Sequence, residues 1–189
     1  YQTAVKIFGE ELAKDKRNIA KSINFGLLYG MGSKKLGDTL GISSKEAKTY
    51  IDSYFEAFKS VKDYLKSIED FAHINGYIKT LLNRKRLFDF ESANAMIKAA
   101  YLREAVNTLF QGSAADLIKL SMVEIDKKYK NNNNVRMLLQ IHDELIFEIK
   151  EDLVEVITRE LKEIMENVYT LNIPLKVSVS VGNSWQELK

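Results

Sequence analysis

The stretch VRMLLQIHDELIFEI, residues 135–149, decides how the chain is read. Val135 to Ile141 and Glu144 to Ile149 are strand-like runs, and His142-Asp143 between them leaves room only for a tight turn. A β-hairpin with that pair at its tip is expected. Just before it, Asn131 to Asn134 is a polar turn, and upstream of that turn the hydrophobic period is helical almost throughout. The chain is therefore α+β, with helices over the first two-thirds and a small antiparallel sheet backed by a helix at the end. Glu151 and Asp152 suit the positive N-terminus of that helix, which is expected to reach about Val168. Pro174 precedes an expected last strand, Leu175 to Val181, alternating apolar with polar.

Working back toward the start, Lys14 to Tyr29 contains no proline and reads as one helix ending near Gly30 and Gly32. Ser43 with Glu46 makes a capping box, followed by an apolar stripe through Ala47, Tyr50, Ile51, Tyr54, Phe55 and Phe58. Ser60 with Asp63 is expected to cap a second helix carrying Val61, Tyr64, Leu65, Ile68 and Phe71, which stops at Asn75-Gly76. Two more helices are expected, from about Ala93 to Thr108 and from Ser113 to Tyr129. No internal repeat is visible.

Composition narrows the function classes. At 189 residues, with 46% hydrophobic residues, the chain has enough apolar content for a globular core in one domain or two small lobes. With no cysteine there is neither a disulfide framework nor a thiolate zinc site, and two histidines are too few for a His-rich metal centre. No apolar run approaches the roughly 20 residues a spanning helix needs, and no signal peptide opens the chain, so a soluble intracellular protein is expected. The chain starts with Tyr1 rather than Met, in a helix-like stretch to Phe8, as a piece of something larger would. A net charge of +2 names no partner, but its distribution is uneven. Residues 79–103 carry six Lys/Arg against two acids, whereas residues 141–169 carry nine acids against three bases.

Four constellations bear on chemistry. Arg17, Lys21, Phe25 and Tyr29 stand four residues apart, forming a helical stripe roughly 18 Å long with two cations followed by two aromatics. A nucleoside triphosphate has the same polarity, with anionic phosphates at one end and a flat base at the other. The bland alternative puts Phe25 and Tyr29 in the core and Arg17 and Lys21 in solvent. Arg103, Asn107 and Gln111 repeat the four-residue spacing with three hydrogen-bond donors. Such a row suits the minor groove, where every base pair offers acceptors in nearly equivalent places; the alternative is a polar helix face. Beside a turn, Arg84, Lys85 and Arg86 form a basic cluster or a solvated loop. The fourth constellation is the hairpin tip, whose adjacent acids suit a hard cation such as Mg²⁺ or make an ordinary polar turn. A His-Asp metal phosphohydrolase would need more histidines than the single remaining His73.

Arg17-Asn-Ile-Ala-Lys21-Ser-Ile-Asn-Phe25-Gly26-Leu-Leu-Tyr29-Gly30 resembles the nucleotide-binding fingers motif of A-family, DNA polymerase I-like DNA polymerases, with every motif position filled. Gln140-Ile-His142-Asp143-Glu144 resembles the family's catalytic palm hairpin, and the segment Arg103 to Gly112 resembles the palm helix that follows the primer-template duplex. The resemblance runs along the whole chain. It implies a fingers region over 1–90, with its nucleotide-binding helix at about 14–30, and the C-terminal part of a palm over 91–189. It implies DNA-templated transfer of a nucleotide from dNTP to a primer 3′-OH by a two-metal mechanism using two Mg²⁺ ions. Arg17, Lys21, Phe25 and Tyr29 then bind the dNTP, and Lys21 also serves catalysis. Asp143 is a metal ligand and catalytic residue, Glu144 a secondary acid at the metal, and His142 a neighbour of the primer terminus. Arg84, Arg86, Arg103, Asn107 and Gln111 face primer-template DNA.

The family's other catalytic carboxylate lies upstream of the fingers and has no counterpart here, so the chain alone is expected to be inactive. Asn83 stands where the family has glycine, and Leu109 where proline is common. A monomer in the bacterial cytoplasm, on the nucleoid, is implied, with an organelle as the other setting. The competing reading is a non-catalytic nucleic-acid-binding helical domain, which has no use for the acidic tip.

Overall fold

The computed structural model describes residues 1–28 and 30–188, so Tyr29, where the expected nucleotide helix ends, lies outside the described residues. The chain forms two compact units, residues 1–112 and 113–189.

The first unit opens with α1 (Gln2–Phe8) and α2 (Glu10–Ala13), joined at Gly9. Helices α3 (Arg17–Leu28), α4 (Ser33–Leu40) and α5 (Ser44–Ala57) follow. They bury Ile23, Leu27, Leu36, Ala47 and Tyr54 together, and each large apolar side chain among them contributes roughly 1.5–3 kcal/mol on burial. Ser43 caps α5, its Oγ accepting the Glu46 backbone N–H at 3.1 Å, but the reciprocal half of the expected capping box is not seen among the described residues, because the Glu46 carboxylate accepts the Tyr50 hydroxyl instead. Helix α6 (Lys59–Asn75) starts after Phe58 with no side-chain cap, so the expected Ser60 cap is corrected. Ser60 already lies in the first turn, because the chain turns at Phe58 (φ −128°, ψ 60°) straight from one helix into the next. The helix ends, as expected, at Gly76 in the left-handed region (φ 69°).

A short antiparallel hairpin follows, β1 (Tyr77–Lys79) and β2 (Lys85–Leu87), with Ile78 opposite Arg86. Its three-residue strands are too short to show a period, which is why the sequence reading found only a basic cluster beside a turn. Ile78, Phe88 and Phe90 join Ile68, Ala72, Ala105 and Val106 in a second core.

Helix α7 runs unbroken from Ala95 to Tyr129, which corrects the expected pair of helices divided near Gly112. Gly112 is there for a close approach, since a Cβ at that position would stand 2.7 Å from Thr80 Cγ2. Leu109, at the family's proline position, packs against the second core.

In the second unit, β3 (Val135–Ile141) pairs with β4 (Glu144–Ile149) in the expected hairpin, with a register shift between Met137 and Leu139. Met137, Leu145, Phe147 and Ile149 pack on a core of Ile125, Tyr129, Val135, Ile157 and Leu161. A 3₁₀ turn, Glu151–Leu153, leads into α8 (Val154–Asn167). The expected last strand does not form: residues 175–181 have no regular structure. A strand is completed by a neighbour's hydrogen bonds, and here the Val177 N–H donates to the Glu166 carboxylate instead.

Candidate functional site

Helix α3 turns Ala20, Ile23, Gly26 and Leu27 inward, which forces Arg17, Lys21 and Phe25 onto the opposite, exposed face. Phe25 keeps 47% of its surface exposed, an apolar ring outside the core where the bland reading would bury it. The Lys21 ammonium sits 6.0 Å from the centre of that ring, so cation and ring adjoin on one surface. Two features hold the helix behind them. The Tyr54 hydroxyl, on α5, donates to Asn24 Oδ1 at 2.8 Å, and its pKa is pushed up by burial. Gly26 lets Met31 fold back, since a Cβ there would meet Met31 Sδ at 3.0 Å. Tyr29, the last expected member of the stripe, is outside the described residues. Gly30 (φ 67°) adjoins Arg103, whose Cγ would lie 2.7 Å from a Cβ on that glycine.

Arg103, Asn107 and Gln111 share one face of α7, with Arg103 and Gln111 exposed. Asn107 Oδ1 is buried without a hydrogen-bond partner among the described residues.

The basic cluster is knitted to the same helix. Arg84 Nη2 donates to the Gly112 carbonyl at 3.0 Å, and the Arg84 backbone N–H donates to Thr80 Oγ1 at 3.1 Å. Arg86 Nη2 pairs with Glu104 Oε2 at 2.5 Å, and its Nη1 donates to Thr108 Oγ1 at 3.4 Å. Lys85 Nζ lies over the Tyr77 ring, 3.7 Å from its centroid. Asn83 adopts φ 63°, a left-handed conformation that favours glycine and that asparagine tolerates. The sequence reading missed Thr80, Glu104 and Thr108. Glu104, Thr108 and Gly112 each follow a member of the donor row by one residue, a spacing that was legible as a second stripe.

In the second unit, the hairpin tip is a two-residue loop closed by the pair Ile141–Glu144. His142 takes φ 53°, the positive value such tight turns require at their first position, and Gln140 Nε2 donates to its carbonyl at 2.7 Å. His142, Asp143 and Glu144 are all exposed. Among the described residues neither carboxylate has an ion-pair or hydrogen-bond partner in the protein, so both remain available as hard oxygen donors. No three potential ligands among His, Asp and Glu converge among the described residues. The donor set therefore fits part of a Mg²⁺ site and requires further ligands.

The family model for DNA polymerase family A matches residues 1–187. DNA polymerase I of Helicobacter pylori (strain ATCC 700392 / 26695) is 52% identical over 189 residues, covering 100% of this chain and 21% of that protein. DNA polymerase I of Bacillus caldotenax is 41% identical over 193 residues, covering 100% of this chain and 22% of that protein. The chain thus spans about a fifth of the length of these curated relatives. A solved structure of the POL domain of Pol1 from M. smegmatis, in complex with DNA primer-template and dNTP, superposes with a TM-score of 0.90 at 38% identity. It covers 98% of this chain and 34% of that one. Among the described residues no helix is long and apolar enough to cross a membrane.

Proposed function

The chain belongs to DNA polymerase family A, and on that premise we propose that it forms the fingers (1–90) and C-terminal palm (91–189) of a DNA-directed DNA polymerase. The observation that carries this is the α3 face, where Arg17, Lys21 and Phe25 are turned outward by a helix whose other face is core. Arg17 and Lys21 pair the triphosphate oxygens, while Phe25, with Tyr29 beyond it in sequence, abuts the sugar and base. Lys21 also stabilises charge developing on the phosphates as pyrophosphate leaves. The Tyr54–Asn24 hydrogen bond holds the helix at a fixed rotation, so the cations are placed before the nucleotide arrives.

Arg103, Asn107 and Gln111 donate to minor-groove acceptors of the primer-template duplex, checking pair geometry without reading sequence. Arg84 and Arg86 belong to the same surface. His142 lies beside the primer terminus. Asp143, with Glu144 as a secondary acid, would hold Mg²⁺, which when bound lowers the pKa of the attacking hydroxyl and neutralises phosphate charge. The remaining ligands lie outside this chain, so the isolated chain is expected to be inactive. The parent polymerase is placed in the bacterial cytoplasm, working on the nucleoid as a monomer.

The test is Mg²⁺-dependent primer extension with four dNTPs by a complete polymerase containing this chain. Lys21→Ala is expected to lower kcat/KM for dNTP about 10- to 100-fold, the loss of a charge-assisted hydrogen bond. Phe25→Tyr would supply a hydroxyl where an incoming nucleotide's own 3′-OH otherwise bonds, and is expected to relax discrimination against dideoxynucleotides. An unchanged dideoxy-to-deoxy ratio would remove Phe25 from the sugar subsite. Duplex binding without extension by the wild type would favour a non-catalytic nucleic-acid-binding domain.

A further inference from the structure

The hairpin arginines and the donor row meet on one helix. Arg86 holds Glu104 and Thr108, and Arg84 holds Gly112, so together they grip positions 104, 108 and 112 of α7. These lie one residue, about 100° of helix rotation, beyond Arg103, Asn107 and Gln111. The hairpin therefore lies along a stripe adjoining the donor row, with contacts at three successive turns. Gly112 is part of the fit. Besides its 2.7 Å approach to Thr80 Cγ2, a Cβ at that position would stand 3.3 Å from Arg84 Nη2. The turn itself is held by the Arg84 N–H on Thr80 Oγ1, and Asn83 N–H donates to the Thr80 carbonyl at 2.9 Å.

We infer that Arg84 and Arg86 are positioning residues, acting through α7 by clamping its rotation so that Arg103, Asn107 and Gln111 stay aimed at the duplex. The inference rests on the polymerase reading and assigns these arginines a role other than pairing template phosphates. A helix carrying a geometry-checking row must not roll, since a small rotation moves each donor off its acceptor. The clamp spans two turns of helix and is distributed over an ion pair, a hydroxyl and a backbone carbonyl.

The test uses a complete polymerase and reads the ratio of extension from matched over mismatched primer ends. Arg86→Glu is expected to narrow that ratio about tenfold, and adding Glu104→Arg to restore it to within about threefold of wild type. A phosphate contact would not survive moving the positive charge from the hairpin to the helix, so failure of the swap overturns the clamp. Gly112→Ala is expected to narrow the ratio similarly. Thr80→Ser, which deletes Cγ2 and keeps the acceptor Oγ1, is expected to restore it, and lack of rescue counts against the fit at Gly112. With Arg86→Gln, the slope of log duplex affinity against log salt should be unchanged, whereas a slope smaller by about one makes Arg86 a phosphate contact. Failure of these rescues with wild-type extension intact overturns the clamp alone. Absence of Mg²⁺-dependent extension by the wild type overturns the polymerase reading and the clamp with it.

Discussion

The two hairpins of this chain are built alike and are partnered differently. Each closes on a non-glycine residue in the left-handed region, Asn83 in one and His142 in the other. Each also presents like charges beside that corner, Arg84, Lys85 and Arg86 in the first and Asp143 with Glu144 in the second. In the basic hairpin the cations meet protein groups: Gly112, Glu104, Thr108 and the Tyr77 ring. In the acidic hairpin the tip carboxylates have no partner in the protein among the described residues. Charge that the fold neutralises stabilises and positions. Two adjacent carboxylates left in solvent repel each other and gain from a cation, which is why the second hairpin is the one we propose as a metal ligand.

The strongest way to break this contrast is Asp143→Asn in a complete polymerase. With Asp143 as the proposed direct metal ligand, the substitution should lower Mg²⁺-dependent extension by more than about 100-fold, exceeding what indirect metal neighbours contribute, while duplex binding is retained. Undiminished extension would make the tip an ordinary turn.

Substituting glycine at both corners sharpens the comparison. His142→Gly should stabilise the fold by about 1 kcal/mol in a denaturant titration, because a left-handed imidazole-bearing residue is strained. The proposed place of His142 beside the primer terminus predicts slower extension by the same variant. Asn83→Gly should change stability by less than about 0.5 kcal/mol, asparagine being tolerated there, and leave extension rates within about twofold. Equal activity losses at the two corners would abolish the distinction.

The smallest effect concerns what stands behind the acidic hairpin. Tyr129, packed in the core with Val135, donates its hydroxyl to Glu160, which also pairs with Lys128. Tyr129→Phe should lower stability by about 1 kcal/mol. Hydrogen bonds from Lys128, then from Tyr129, hold the Glu160 carboxyl below its usual 4.5. That contribution is present above about pH 4.5 and is lost as the pH falls through and below it. Thermal melts of wild type and Glu160→Gln should therefore converge in acid, and a constant gap across that window would remove the pair as its source.

Much of the site was legible because it repeats. The stripes on α3 and α7 follow helical spacing, and the acidic hairpin follows from two apolar runs around a two-residue turn. What could not be read were features whose partners are remote in sequence. Gly112 reads locally as a helix breaker, yet α7 passes through it because Thr80 requires the space. Leu175 to Val181 alternates as a strand should, but nothing in its local pattern says whether a neighbour will pair with it. The hairpin at Tyr77 to Leu87 was hidden because three-residue strands carry no measurable period.

By itself the sequence determined most of the helices, the acidic hairpin, the spacing of the candidate stripes and the family, since all of these depend on residue identity at fixed short spacings. Only the tertiary structure decided that Phe25 faces outward, that α7 is one helix, and that the basic hairpin grips it at Glu104, Thr108 and Gly112. These outcomes turn on packing between segments distant in sequence, where a missing methyl group or an ion pair selects one arrangement that local propensity leaves open.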